Sequence, residues 1–326
     1  MKVDVFGLGN PIIDILVHVD GGFIEELGLT KGAMHLITEK DKNELLNRLV
    51  KQKFEVEAGG SAPNTMATLS LLGINTGIAG KIGKDELGDK YLSIIGSKNV
   101  KSYLKRGTSE TGTSIILITP DKERTMNTYL GACKEFGPED LPPDSIEEAK
   151  IFYFTGYMWD TENQKSATME GIKRAKKAGT QVVFDVADPL AVERYREDFL
   201  NLIENHVDIL FANAAEAKML MEKELNMAVK ELSKICKLGV IKNGEKNSFI
   251  FNEGEIIEVQ SFKTDVVDTT GAGDNYAAGF LYGILKGYSL RKCGEIASFI
   301  ASKTIEKVGA HAPGNIAKLV KILLGK

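Results

Sequence analysis

Cysteine, histidine and tryptophan are scarce: three, four and one in 326 residues. Cys133, Cys236 and Cys293 lie far apart and none stands in a C-x-x-C pair, which argues against a disulfide framework and against a thiolate zinc site. His18, His35, His206 and His311 are scattered, with no H-E-x-x-H. No apolar run reaches the roughly eighteen residues that a membrane-spanning helix needs. Asp4 and Asp14 interrupt the first apolar stretch, where a secretory leader requires continuity. The expectation is a soluble protein of a reducing compartment, the cytoplasm, with no membrane partner. An excess of either charge is lacking too. The 41 basic and 45 acidic side chains give a net charge of −4 without a long basic run, which argues against nucleic acid as the main ligand. Familiar catalytic signatures are missing as well: G-x-x-x-x-G-K-[ST], H-R-D with D-F-G, and G-x-S-x-G. If the protein moves phosphate, it uses other apparatus.

What is present is a globular composition, 43% hydrophobic, in a chain long enough to bury a large core. Apolar runs at 3–8, 77–80, 151–154, 181–185, 207–212 and 239–242 read as short buried strands. Helical patterns at 61–72, 86–97, 163–178, 193–204 and 214–222 lie among them. The alternation indicates an α/β fold with a parallel sheet covered on both faces. Residues 12–38 and about 100–136 instead alternate polar and apolar without a strong helix. They are expected to form one small β-sheet lid on a single domain spanning 1–326. Extra edge strands of the main sheet are the other reading. Further on, 247–251 and 255–259 read as a hairpin across Asn252-Glu253-Gly254, followed by helical patterns at 275–286 and 290–307.

Four segments and one lid arginine carry candidate chemistry. In Thr269-Thr270-Gly271-Ala272-Gly273-Asp274, small residues precede a helix whose first N–H groups and dipole would make an anion site. Asp274 there is either a helix-dipole carboxylate or a base beside a phosphate cradle, and the local sequence leaves the two level. Ala58-Gly59-Gly60-Ser61-Ala62-Pro63-Asn64 opens another helix, with Ser61 as N-cap. It reads either as a plain cap or as bare backbone against a polyhydroxylated ligand, with Asn64 bonding a hydroxyl. Gly7-Leu8-Gly9-Asn10-Pro11-Ile12 lacks the third glycine of a dinucleotide fingerprint. Asn10 and Asp14 instead leave the carboxyl end of the first strand, where ligands bind open α/β sheets, and a carboxylate there suits a sugar diol. Asn213 and Glu216 begin the helix after 207–212, as a capping box or as a Mg²⁺ site direct or through water. Arg124, in a lid strand, is either solvated or reaches a phosphoryl group.

Together, A-G-G-S-A-P-N (58–64), N-A-A-E (213–216) and D-T-T-G-A-G-D (268–274) resemble the signatures of the PfkB-type ribokinase family of sugar and nucleoside kinases. The resemblance spans nearly the whole chain. It implies a three-layer α/β/α sandwich with a β lid, and transfer of the γ-phosphate of ATP to a substrate hydroxyl. By that resemblance Asp274 is the catalytic base, and Gly271, Ala272 and Gly273 are the anion hole. Asn213 and Glu216 govern phosphate and Mg²⁺. Asn10, Asp14, Gly59, Gly60, Ser61 and Asn64 hold the substrate, and Arg124 meets the transferring phosphate. Lys242-Asn243-Gly244 falls at a nucleotide-contacting turn, with lysine where a small polar residue is commoner. Asp268 and Thr270 align with a monovalent-cation site, implying K⁺. G-N-P-I-I-D-I (9–15) and E-R-T-M-N-T-Y-L-G-A-C (123–133) look most like the adenosine-kinase-like branch. Met34, Met126, Tyr129 and Phe136 are apolar candidates for a purine, with lid core as the reading expected of at least two. The expected activity is phosphorylation of a nucleoside 5′-hydroxyl, adenosine first. A fructokinase- or ribokinase-like sugar kinase is the alternative enzyme, and an inert binder on the same scaffold the alternative class. A monomer and a lid-mediated homodimer both fit.

Overall fold

The computed structural model describes residues 2–325. Its strands are β1 (Val5–Leu8), β2 (Ile12–His18), β3 (Met34–Leu36), β4 (Phe54–Gly59), β5 (Thr76–Ile82), β6 (Lys101–Arg106) and β7 (Thr113–Ile118). There follow β8 (Arg124–Tyr129), β9 (Ile151–Thr155), β10 (Gln181–Asp185), β11 (Ile209–Asn213), β12 (Leu238–Asn243), β13 (Asn247–Asn252) and β14 (Glu255–Gln260). Nine of them form a sheet in the order β14-β13-β12-β11-β10-β9-β1-β5-β6. It is parallel from β12 to β6, with an antiparallel hairpin added at one edge.

Both faces of this sheet are buried, which is why its strands read as unbroken apolar runs. Val5, Ile151, Tyr153 and Val183 pack toward helices Ser61–Leu71 and Ala272–Leu285. Their neighbours Phe6, Phe152, Phe154 and Phe184 pack on the opposite face with Trp159 and Phe199. Strand order runs outward in opposite directions from the β1/β9 boundary, a topological switch point. Ligands of such sheets bind at the carboxyl ends beside that point, and the chain places Asn10, Asp185, Asn213 and Lys242 there.

A second sheet, β3-β8-β7-β2-β4, is the lid. It draws on both of the segments read as lid from the sequence, with two differences. Residues 101–106 pair with β5 at the edge of the large sheet, so the edge-strand reading holds for them. Residues 54–59, which were not expected to form a strand, supply the fifth lid strand. Helices Gly21–Glu26 and Glu39–Leu49 cover the lid's outer face, where Ile13, Ile15, Val17, Ile115 and Leu117 meet Ile24, Leu45 and Leu49. The second helix announces itself by a capping box between Thr38 and Asp41.

The hairpin turn is one residue shorter than expected. Asn252 pairs with Glu255, and Glu253 and Gly254 both take positive φ (49° and 87°), as a two-residue turn matched to strand twist requires. No helix among the described residues is long and apolar enough to cross a membrane.

Candidate active site

A cleft of about 1000 Å³ separates the lid from the carboxyl edge of the large sheet. Asp274 lines it from the first turn of helix Ala272–Leu285. Ser61 Oγ donates to Asp274 Oδ1 at 2.6 Å, and Asn64 Nδ2 to Oδ2 at 3.0 Å. Thr65 Oγ1 donates to the Asp274 carbonyl at 3.2 Å, so two packed helices fix both carboxylate and backbone. Burial pushes the Asp274 carboxyl up to about 6, with Asp185 adding to the rise; the bonds from Ser61 and Asn64, and the Lys242 ammonium, oppose it. A carboxylate with that affinity suits proton transfer near neutral pH.

Ser61 is not the helix N-cap expected from the sequence. Gly60 caps, at φ +99°, and Ser61 turns its hydroxyl to Asp274. The bare backbone of this motif serves the chain's own packing: a Cβ on Gly60 would stand 2.1 Å from the Asn10 carbonyl oxygen, and Gly59 lies against the Asp14 carboxylate. Asn64 Oδ1 is buried without a hydrogen-bond partner among the described residues, an atom that a ligand hydroxyl would satisfy.

Asp14 lines the cleft from β2. Burial pushes its carboxyl up to about 7, Glu57 and Asp274 adding to the rise and Arg124 opposing it. Asn10 also lines the cleft, with Oδ1 already accepting from Gln164 Nε2 at 2.6 Å.

The anion-hole turn is partly as expected. Gly271 caps the helix at φ +72°, with a would-be Cβ only 2.3 Å from the Ala310 carbonyl oxygen. The Ala272 N–H turns back to the Thr269 carbonyl at 3.2 Å, so it is committed within the turn. Those of Gly271 and Gly273 have no intramolecular acceptor among the described residues.

Arg124, Asp268 and Thr270 form one unit. Arg124 Nη2 meets Asp268 Oδ2 at 2.6 Å and Nη1 donates to Thr270 Oγ1 at 3.0 Å. Asp268 also accepts from the Thr270 N–H and hydroxyl and the Gly309 N–H. Four donors saturate this carboxylate, and Arg124 balances its charge. The Asp268 and Thr270 side chains therefore do not fit the monovalent-cation role that the sequence suggested. Arg124, expected at phosphate, instead ties the lid to the anion-hole turn.

Asn213 and Glu216 make the capping box in full. Glu216 Oε2 accepts from the Asn213 N–H at 2.7 Å, and Asn213 Oδ1 from the Glu216 N–H at 2.9 Å. Glu216 still lines the cleft, and burial pushes it up to about 7 while Lys242 opposes the rise. Among the described residues no three His, Cys, Asp or Glu side chains are placed to hold a metal ion. Magnesium bound chiefly by phosphates and water needs no such cage, so a single carboxylate at the cleft fits it through water.

Lys242 and Gly244 both line the cleft. Lys242 Nζ pairs with Asp185 at 3.2 Å, a residue that sequence reasoning missed. The rule that singled out Asn213, a polar residue ending a buried strand before a helix, would have found it. Met34 and Met126 are cross-strand partners on the lid's cleft face, joined by Ile12, Leu36 and Ile116. Tyr129 and Phe136 belong to the core: the first donates to Glu39 from the lid's other face, the second packs beneath the large sheet.

Relatives carry the same architecture. The chain is 30% identical over 245 residues to an uncharacterized sugar kinase of Archaeoglobus fulgidus, covering 74% of this chain and 96% of that one. It is 27% identical to the adenosine kinase of Saccharomyces cerevisiae over 336 residues, 96% of this chain and 98% of the yeast protein. The crystal structure of adenosine kinase from Sinorhizobium meliloti superposes with a TM-score of 0.93 at 37% identity, covering 99% of this chain and 100% of that one. A family model described as pfkB family carbohydrate kinase matches residues 25–317. With its two signature turns meeting at Asp274, the chain belongs to the pfkB family of carbohydrate kinases and is a phosphotransferase acting on an alcohol group.

Proposed function

We propose that this protein transfers the γ-phosphoryl group of ATP to the 5′-hydroxyl of a nucleoside, adenosine first among them. The observation that carries the reading is one cleft with two unlike walls. Asp274 and the 271–273 turn line the floor, and an apolar lid face of Ile12, Met34, Ile116 and Met126 lines the roof. A purine has a face to bury there, worth about 2.5 kcal/mol per 100 Å² of apolar surface, and a free sugar has none. Asp14 and the unpartnered Asn64 Oδ1 supply groups for a ribose diol.

In this reading Asp274 takes the 5′-hydroxyl proton as that oxygen attacks the γ-phosphorus, and the bond to the bridging oxygen of ADP breaks. The N–H groups of Gly271 and Gly273 meet the charge on the transferring group. Arg124, paired with Asp268 and Thr270, keeps the lid against the turn. Mg²⁺, when bound, neutralises and orients the phosphates, with Glu216 held at the cleft to bind its water. No step is assigned to K⁺.

The second reading, a sugar kinase, draws on the same diol-binding pair, which does not depend on a base. Turnover of ATP with adenosine, guanosine, cytidine, ribose, fructose and fructose phosphate separates the two. A hundredfold preference for adenosine in kcat/KM is expected. Preference for a free sugar would leave Asp274 in place and discard the purine role of the lid, and silence across the panel would favour an inert binder.

A further inference from the structure

Asp14 and Glu57 stand directly opposite each other where β2 pairs with β4, so both side chains leave the same face of the lid. Like charges in that relation destabilise a sheet. Among the described residues neither carboxylate accepts a hydrogen bond or pairs with a cation. Asp14 is faced by Glu57 from β4, Arg124 from β8, Asp274 from helix Ala272–Leu285 and Tyr91 from helix Glu86–Ser97. Arg124 is held by Asp268, and the Tyr91 hydroxyl donates to the Gly59 carbonyl at 3.1 Å. Glu57 is faced by Lys98, just past the end of that helix, with Lys307 and His311 beside the lysine. Lys98 Nζ bonds the His311 ring at 2.7 Å and not Glu57.

The backbone makes room for this crowding and closes it in. A Cβ on Gly59 would stand 2.2 Å from Asp14 Oδ2, and one on Gly309, at φ +99°, would stand 2.8 Å from Glu57 Oε2. Both carboxylates thus lie against bare backbone, and Glu57 is half-buried, so little water screens one from the other. Stability gives no reason for the pair; the cleft does. Burial, and next the Glu57 charge, push the Asp14 carboxyl up to about 7. A vicinal diol reverses that balance. Its two hydroxyls donate to an ionised carboxylate, whereas the protonated form has fewer lone pairs to offer.

We propose that Glu57 is a positioning residue that keeps a proton on the opposite Asp14 carboxyl in the empty cleft, so that capture of the acceptor's diol expels this proton to solvent. The proposal deepens the kinase reading and rests on it for the diol. Glu57 touches no substrate and acts only through Asp14.

The test is calorimetry of the full chain without nucleotide, titrating adenosine and then ribose in two buffers of unlike ionisation enthalpy. At pH 7 wild type should release about half a proton per adenosine bound, falling to about zero at pH 9, where Asp14 is already ionised. Glu57→Gln removes the facing charge. It should release less than about a fifth of a proton at pH 7 and bind adenosine about fivefold tighter than wild type at pH 6. A variant that had merely loosened the lid would lose affinity instead. Glu57→Asp keeps the charge and should keep the release. In steady state, Glu57→Gln should carry the acid limb of kcat/KM down toward that of Asp274, about 6. Binding by wild type without proton release overturns the proposal and leaves the kinase reading standing. So does release that survives Asp14→Asn or is undiminished in Glu57→Gln. Ribose bound with the same release, while adenosine is ignored, discards the nucleoside and keeps the proposal. If neither ligand binds, the proposal falls, and turnover decides the kinase reading by itself.

Discussion

Ser61 and Asn64 donate to different oxygens of Asp274, so the carboxylate is oriented before any ligand enters. Asp274→Asn keeps the shape and removes the basicity. It should lower kcat by ~10²–10⁴-fold with little change in ATP affinity, measured by turnover and calorimetry on one preparation. An unchanged kcat would remove Asp274 from the base role. The pH profile adds a second check. Burial has raised the Asp274 carboxyl to about 6, so it is ionised and able to accept a proton above that value and protonated below it. With Asp14 also required as a carboxylate, activity should rise with pH along an acid limb of kcat/KM between about 6 and 7. Asp14, raised to about 7, contributes to the same limb, and Asp14→Asn should leave the limb nearer 6 with a weakened acceptor KM. At this scale the sequence was informative where chemistry and conformation coincide. Gly271 and Asp274 stand out because turn, helix start and carboxylate occur together. The hydrogen bond from Ser61 was illegible because it joins residues 213 positions apart, and the local pattern gave the hydroxyl a capping role that Gly60 fills instead.

Elements buried on two faces are the easiest to read, since their whole length must be apolar. β9, β10 and β12 show this: Ile151–Thr155, Gln181–Asp185 and Leu238–Asn243 lie within a residue of their expected bounds. Half-exposed strands are harder. The polar alternation of Lys101–Arg106 reflects a sheet edge, and in sequence an edge strand looks like a lid strand. Phe54–Gly59 escaped because β4 borders only β2, and Phe54 and Glu55 are exposed. The link from β4 to helix Ser61–Leu71 is tightly specified nonetheless. Gly60→Ala would force a Cβ into left-handed backbone and against the Asn10 carbonyl, costing about 2–4 kcal/mol by strain and overpacking together. Urea denaturation measures it; an unmoved midpoint would mean that the turn relaxes at no cost.

For the whole molecule, the lid's outer face bears on assembly. Ile13, Ile15, Val17, Ile115 and Leu117 are all at most 5% exposed, covered by the chain's own helices, Glu86–Ser97 among them. A clasp between two lids would need that face bare. Sedimentation at micromolar concentration should therefore return a mass near the 35.6 kDa of one chain, and a mass near twice that would locate contact on another surface. The lid is also joined to the floor at a telling place. β2 and β4 enter it side by side, Ile12 opposite Gly59, and two residues later the same backbone presents the Ser61 hydroxyl to Asp274. The strand that pins the lid and the hydroxyl that aims the base are thus two residues apart on one backbone, so the shape of that entry to the lid also sets the direction in which Asp274 faces the cleft.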